Sequence, residues 1–298
     1  MKNYKIFFLL FLLFPFLAMN SDKSAYRIYN GKGHKADYED ILKAAKNADI
    51  IFFGELHNNP VCHWLELELT QDLYAEKGNK LVLAAEMLEA DNQLILNEYL
   101  SKMIRKKDFE SEAKLWPNYQ TDYAPLVDFA REKGIKFTAT SIPRRFAALV
   151  NLKGFEGLDS INAMERGLIA TLPIKYIDTL ECYKFIVKSV GDEMPAHLSK
   201  NLGKAQAIKD ATMAQNIMKS GAFNGQCILH FNGAYHSDFH QGIVWYVHQA
   251  IRKTNMELKI LTISCQEQEN IDTISKHDAD KADFVIIIPS NMTQTKKN

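Results

Sequence analysis

The 298-residue sequence has few cysteines and no excess of charge of either sign. Its 36 basic and 36 acidic side chains balance, whereas binding to nucleic-acid phosphates favours a basic excess. The four cysteines are widely spaced and include no Cys-x-x-Cys pair that could bind metal. A chain of this length can build a core without cross-links, so we expect four buried thiols, although an exported protein could form disulfides in any of three pairings.

The sequence also lacks an apolar run long enough to cross a membrane as a helix. Its N-terminal run covers residues 6–19, is interrupted by Pro15 and follows Lys2 and Lys5. This pattern is typical of a signal peptide, so we expect residues 1–20 to be removed and the protein to be exported to the periplasm or cell envelope. Removal of two lysines would give a net charge of −2. No cysteine ends the run, so the pattern does not support a diacylglyceryl anchor.

Short apolar runs alternate with longer amphipathic ones along the rest of the chain. Six short apolar or β-branched runs predict strands near residues 49–53, 81–85, 136–140, 226–231, 258–264 and 283–288. The intervening patterns predict helices, and the clearest helix start has Asn59 as a cap and Pro60 in the first turn. The alternation predicts an α/β fold with a mostly parallel sheet flanked by helices over residues 21–298.

Residues 144–221 interrupt this alternation. They show helical patterns broken by glycine and proline, and no convincing strand pattern. We therefore expect a helical insertion or subdomain that packs over the crevice of the sheet.

Polar side chains follow the predicted strands at the point where each strand ends. Glu55 and His57 follow the first strand, Glu86 ends the second, and His236 follows the fourth. In open α/β sheets the binding crevice lies beyond the carboxyl ends of the strands. We therefore expect these four side chains to converge at one edge of the sheet.

A carboxylate and two imidazoles at such an edge suit a divalent ion such as zinc, manganese or iron. On this interpretation Glu55, His57 and His236 are metal ligands of a hydrolase, and Glu86 is a general base or orients an imidazole. Glu55 would then also belong to the catalytic set. The alternative is that these side chains only satisfy backbone groups at strand ends, as buried polar residues must.

Two further histidines are predicted to have structural roles. His230 lies inside a strand pattern and is as consistent with a hydrogen-bonded core histidine as with a ligand. His63 lies one turn into the helix that starts at Pro60, where we expect a surface or packing role.

The order of the motifs resembles that of the ChaN-like haem-binding proteins, whose superfamily includes the Tiki proteases, the TraB proteins and the erythromycin esterases. The resemblance covers about residues 45–255. Its motifs are Gly54-Glu55-x-His57, Glu86, Trp116 followed by Tyr123-x-Pro125, Pro143-Arg144, Lys209-Asp210-x-x-Met213-Ala214 and Gly233-x-x-His236. Two features depart from the family pattern: Ser-Asp-Phe-His follows His236 instead of a glycine-rich stretch, and there is no lipobox cysteine.

The resemblance implies an α/β core with a smaller helical part. It also implies an exported protein of bacterial iron uptake that binds haem, often as a homodimer, and that works with outer-membrane haem-uptake machinery. We therefore predict a haem-binding protein of haem or iron acquisition, with a metal-dependent hydrolase as the alternative. A third possibility is a degenerate member that binds a small partner without chemistry.

Haem requires an apolar slot, an axial ligand and cations for its two propionates. Tyr119 and Tyr123 lie in an aromatic stretch, and the resemblance associates tyrosine with iron ligation, so either phenol is a candidate ligand; core packing is the alternative for both. Arg144 and Arg145 could clamp a propionate, because arginine binds carboxylates in a bidentate manner. Their alternative role is as solvent-facing charges at a helix start.

Overall fold

A computed structural model describes residues 23–191 and 200–295, so the predicted signal peptide lies outside the described residues. Its centre is an eight-stranded sheet with the strand order β2-β1-β8-β7-β3-β6-β4-β5. The strands are β1 Arg27–Asn30, β2 Lys35–Ala36, β3 Ile50–Glu55, β4 Leu81–Glu89, β5 Lys136–Ser141, β6 Cys227–Gly233, β7 Ile260–Gln268 and β8 Phe284–Pro289. None of the helices in the described part of the chain is long and apolar enough to cross a membrane.

The sheet is parallel apart from its first two strands. Strands β3 to β8 pair in parallel with one another. Strand β1 pairs antiparallel with both β2 and β8. The predicted fold class is therefore confirmed, and each of the six predicted strands is present. The sequence patterns did not indicate β1 and β2, because these strands are short and depend on pairing with a strand from the other end of the chain.

Helices cover both faces of the sheet. They are α1 Tyr38–Ala45, α2 Pro60–Lys77, α3 Gln93–Leu100, α4 Lys106–Glu112, α5 Ala124–Lys133, α6 Arg144–Lys153, α7 Ala163–Arg166, α8 Glu181–Gly191, α9 Leu202–Lys219, α10 Ile243–Ile251 and α11 Lys276–Ala279. Helix α2 starts as predicted, because the Asn59 side chain accepts a hydrogen bond from the Val61 N–H (3.0 Å) and Pro60 occupies the first turn.

Successive residues of β3 pack on opposite faces of the sheet. Ile51 and Phe53 join the apolar core under α2, whereas Ile50 and Phe52 join the core under α9 and α10. Strands β3, β4 and β6 are buried at every residue, which explains why they read as continuous apolar runs. The four cysteines are buried thiols without disulfides, as expected.

The described residues between β5 and β6 form helices and no strand. They surround a separate apolar cluster that includes Phe146, Val150 and Ile208. Helix α9 connects this cluster to the sheet, since it contacts α6 and α8 as well as β5. The arrangement places α8 and α9 beside the carboxyl end of β6.

Candidate functional site

The carboxyl ends of β3, β4 and β6 meet at one crevice. Glu55 at the end of β3 pairs in register with Gly233 at the end of β6, and the Gly233 N–H donates to Glu86 Oε2 (2.8 Å). A Cβ atom at position 233 would lie 2.7 Å from His57 Nε2 and 3.6 Å from Glu86 Oε2. Glycine is therefore needed at this position, because any side chain would collide with the imidazole. The structure thus brings Glu55, His57 and Glu86 together, and His236 adjoins them.

His57 is the partly exposed side chain of this crevice. Its Nδ1 lies 2.7 Å from Glu55 Oε1, its side chain is 41% exposed, and its ring meets Trp116 edge-on at 4.8 Å. Glu55 is buried, and the same oxygen accepts a hydrogen bond from Tyr123 Oη (2.7 Å). Burial opposes ionisation of both groups, but their mutual hydrogen bond and the neighbouring charges lower the pKa of Glu55 and raise the pKa of His57.

His236 lies between two carboxylates. Its Nε2 is 3.1 Å from Glu86 Oε1, and its Nδ1 makes a short contact with Asp210 Oδ1. Asp210 also accepts a hydrogen bond from Tyr183 Oη (2.9 Å). We call Glu86, Asp210 and His236 the crevice row.

The electrostatics of the crevice row make His236 a cation at neutral pH. Burial opposes this charge, but the charges of Glu86 and Asp210 outweigh burial and raise the pKa of His236 to about 10. Burial also opposes ionisation of Glu86, whose pKa is nevertheless lowered by His236. Burial raises the pKa of Asp210, so Glu86 is the carboxylate that the imidazolium holds ionised most firmly.

The crevice row argues against the predicted metal set of Glu55, His57 and His236. Both nitrogens of His236 face carboxylates that are not members of this set, namely Glu86 and Asp210. Among the described residues, the group whose candidate ligand atoms all lie within 4.8 Å of one another is Glu55, His63 and Glu66. We call these three residues the deep group.

The deep group lies behind His57 and is buried. His63 Nδ1 lies 3.1 Å from Glu66 Oε2 and 3.6 Å from Glu55 Oε2, and its Nε2 lies 3.4 Å from Asp122 Oδ2. The sequence patterns did not indicate Glu66 or Asp122. We expected a surface or packing role for His63, but its side chain lies in a buried polar group. The available signal was the i, i+3 spacing of His63 and Glu66, which places both on one face of α2.

The two tyrosines predicted as haem ligands lie inside the core. Tyr119 packs against Phe109 and its hydroxyl has no hydrogen-bond partner, whereas Tyr123 donates its hydroxyl to Glu55. Both side chains are about 4% exposed. This burial argues against haem ligation by either phenol, because a macrocycle could reach the hydroxyl only by displacing core side chains. The aromatic stretch is core packing.

The two arginines lie at the start of α6 and already have carboxylate partners. Arg144 Nε donates to Glu89 Oε1 (2.8 Å), and Arg145 Nη1 donates to Asp91 Oδ2. The Arg144 side chain is nevertheless 74% exposed. A propionate could therefore reach either guanidinium, but it would compete with an existing ion pair.

His230 is a hydrogen-bonded core histidine. Its two nitrogens lie 2.9 Å from Thr140 Oγ1 and 3.0 Å from Asn232 Oδ1. Burial lowers its pKa to about 4, so the ring is neutral. It therefore does not contribute a charge to the crevice.

An exposed aromatic pair lies beside the crevice row. Tyr235 directly precedes His236, and its ring stacks on Phe185 of α8 with 5.0 Å between the centroids. The side chains are 56% and 47% exposed, so the pair forms an aromatic patch at the surface. Neither residue was predicted from the sequence as part of a binding site, although Tyr235 lies within the Gly233-x-x-His236 motif.

A parallel α/β sheet with polar side chains at its strand ends defines a broad class of ligand-binding proteins. The model of one family in this class, described as haem-binding uptake, Tiki superfamily, ChaN, matches residues 41–247. The chain therefore belongs to this family, as its motifs suggested.

One solved structure shows the same fold. ChaN of Campylobacter jejuni, solved with cofacially bound haem, aligns with a TM-score of 0.66 and 17% identity over 89% of this chain and 97% of that chain. An erythromycin esterase mutant in its open conformation aligns with a TM-score of 0.45 and 12% identity over 82% of this chain and 77% of its own.

One curated relative is a plant protein. Protein RETICULATA-RELATED 5, chloroplastic, from Arabidopsis thaliana is 31% identical over 134 residues, which are 43% of this chain. The match covers 18% of the length of that relative.

Proposed function

We propose that this protein binds haem at the crevice formed by β3, β4 and β6, and that it is an exported component of haem or iron acquisition. The observation that carries the proposal is the exposed, stacked pair of Tyr235 and Phe185 next to the crevice row. Membership of the haem-binding uptake family supports the same ligand.

The residues at this edge supply groups that haem binding uses. Tyr235 and Phe185 offer an aromatic surface, and Tyr235 also offers a phenol. His57 offers a partly exposed imidazole that Glu55 orients, and Arg144 offers an exposed cation for a propionate. When bound, haem supplies an iron that takes an axial ligand from the protein. We assign this role to Tyr235 in place of the buried Tyr119 and Tyr123.

Titration with haemin tests the proposal. We expect the wild-type protein to give a saturable Soret shift, and Tyr235→Phe to weaken binding by about tenfold or more, because it deletes an axial ligand but keeps the stacking. Tyr26→Phe is the control, since Tyr26, although partly buried, likewise has an exposed aromatic neighbour, Trp64. A wild-type protein without a saturable shift would overturn the haem function. Equal affinity in Tyr235→Phe would overturn only the ligand assignment.

The proposed export has a separate test. N-terminal sequencing of the mature protein should show that about the first 20 residues are absent. An intact Met1 in the exported form would contradict cleavage.

The proposed role involves two partners, a second copy of the chain and outer-membrane haem-uptake machinery. Light scattering with and without haemin tests the first. A dimer that forms or tightens with haemin supports it, whereas a monomer under both conditions contradicts it. Hydrolytic activity that a chelator abolishes, in a protein without a Soret shift, would instead favour the metal-dependent hydrolase.

A further inference from the structure

The deep group presents two carboxylates to a single histidine nitrogen. Glu66 Oε2 lies 3.1 Å and Glu55 Oε2 lies 3.6 Å from His63 Nδ1. One ring nitrogen carries at most one proton, so it cannot donate a full hydrogen bond to both acids. The crevice row differs, because each nitrogen of His236 faces a single carboxylate, whereas Nδ1 of His63 faces two.

The deep group also has carboxylate oxygens without a donor. Glu55 Oε2 and Glu66 Oε1 are buried and receive no hydrogen bond from a donor outside the two carboxyl groups. With Asp122, three buried carboxylates surround two imidazoles, those of His57 and His63. Buried carboxylates are normally hydrogen-bonded, paired with cations or bound to metal. The arrangement therefore requires either an additional proton or a cation.

We propose that Glu55, His63 and Glu66 form a buried site for a divalent first-row transition cation, with zinc as the best match. Nitrogen and oxygen ligands about 2.1 Å from a tetrahedral ion lie roughly 3.4 Å from one another. The two measured separations at His63 Nδ1 fall on either side of this value. Two carboxylates and one neutral imidazole would balance the charge of the ion. The inference holds whether or not the protein binds haem.

The surroundings of His63 support ligation through Nδ1. Its other nitrogen, Nε2, lies 3.4 Å from both Asp122 Oδ2 and the His57 carbonyl oxygen. Metal-bound histidines usually donate their second N–H to such acceptors, which fix the tautomer and the ring orientation. Asp122 is itself held by hydrogen bonds from Asn118 and Thr295 (2.6 and 2.7 Å).

The site would connect to the crevice through Glu55. One oxygen of Glu55 faces the deep group, while the other is bonded to His57 and Tyr123. A cation would hold this carboxylate ionised and oriented, and so fix the imidazole at the floor of the crevice. All three ligands are buried, and they would leave the fourth position of a tetrahedral ion to a water molecule.

Zinc binding to haem-free protein tests the inference. The protein is stripped with a chelator, titrated with Zn²⁺ against a chromophoric competitor, and assayed for metal after gel filtration. We expect one equivalent of retained zinc in the wild-type protein. Glu66→Gln should weaken binding more than about 100-fold, and Asp122→Asn, which acts through His63, about 10–100-fold.

Glu110→Gln is the matched control. Glu110 also has a buried oxygen without a hydrogen-bond partner, but its ion-pair partner is Lys106, at 3.8 Å. Its zinc affinity should equal that of the wild-type protein.

Two outcomes would overturn the inference. A wild-type protein that retains no zinc while Glu66→Gln is folded and equally stable would show that Glu55 and Glu66 share a proton instead. Zinc retained equally by Glu66→Gln would place the metal elsewhere. If Glu66→Gln does not fold, the visible absorption of Co²⁺ added to the wild-type protein and to Asp122→Asn provides the test. Visible bands of a four-coordinate site that shift in Asp122→Asn support the site, and their absence or insensitivity rejects it.

Discussion

His236 is buried beside two carboxylates and His63 beside three, and the carboxylates are arranged differently. In the crevice row Asp210 and Glu86 face opposite nitrogens of His236, so the ring is stabilised as a cation. In the deep group Glu55 and Glu66 face the same nitrogen of His63. One acid at each nitrogen accounts for the charge of His236, whereas two acids at one nitrogen are the basis of the cation site proposed at His63.

The largest expected effect is the loss of the imidazolium from the crevice row. His236→Gln leaves Glu86 and Asp210 buried without their cation, and should lower the free energy of unfolding by about 3–5 kcal/mol. Urea denaturation at pH 7 measures the change. His240→Gln is the control, because His240 lies 3.6 Å from Asp283 in an exposed pair and should cost less than about 1 kcal/mol. Equal losses would mean that the crevice row is no stronger than a surface pair.

The charge of His236 should also make the stability of the protein depend on pH. The pKa of His236 is raised to about 10 by Glu86 and Asp210, against a burial penalty, and lies well above that of an unfolded histidine. Above about pH 6.5 the folded protein therefore binds more protons than the unfolded protein does. The stabilisation contributed by charged His236 is fully present below that pH and is lost as the pH rises towards 10. The expected slope is about 1 kcal/mol per pH unit.

Denaturation of wild-type protein and His236→Gln at several pH values between 7 and 10 measures this slope. The comparison removes the contribution of Tyr183, which is bonded to Asp210, since Tyr183 remains in the variant. Parallel curves for the two proteins would contradict a charged His236.

A smaller difference in stability is expected between phenylalanine variants of the two buried tyrosines. Tyr123→Phe removes a hydrogen bond to the ionised Glu55 and should cost about 1.5–3 kcal/mol. Tyr119→Phe removes a buried hydroxyl without a partner and should be neutral or slightly stabilising. Thermal unfolding of both variants measures the difference. A more harmful change at Tyr119 would show that its hydroxyl has a role.

The smallest effect is expected at Glu66 when no cation is bound. Burial and the charge of Glu55 raise the pKa of Glu66, so glutamine mimics its neutral acid. In the presence of a chelator Glu66→Gln should unfold within about 1 kcal/mol of the wild-type protein, as glutamine leaves the same number of buried charges. Adding Zn²⁺ should then raise the melting temperature of the wild-type protein only. A large loss with chelator would mean that Glu66 is ionised without metal.

The sequence was sufficient to predict the six parallel strands of the sheet and the position of its crevice. The strands β3, β4 and β6 are buried on both faces, so they appear as continuous apolar runs, and parallel strands bring their carboxyl ends to one edge. The convergence of Glu55 and Glu86 follows from these two facts.

The polar groups that meet behind and beside that edge depend on how the helices pack on the sheet. His63 and Glu66 join Glu55 because α2 turns that face towards β3, and Asp210 reaches His236 across the helical segment. The burial of Tyr119 and the exposure of Tyr235 likewise depend on neighbours distant in sequence. A local pattern specifies the periodicity of a helix or strand, but the partner of a side chain is set by how whole elements pack.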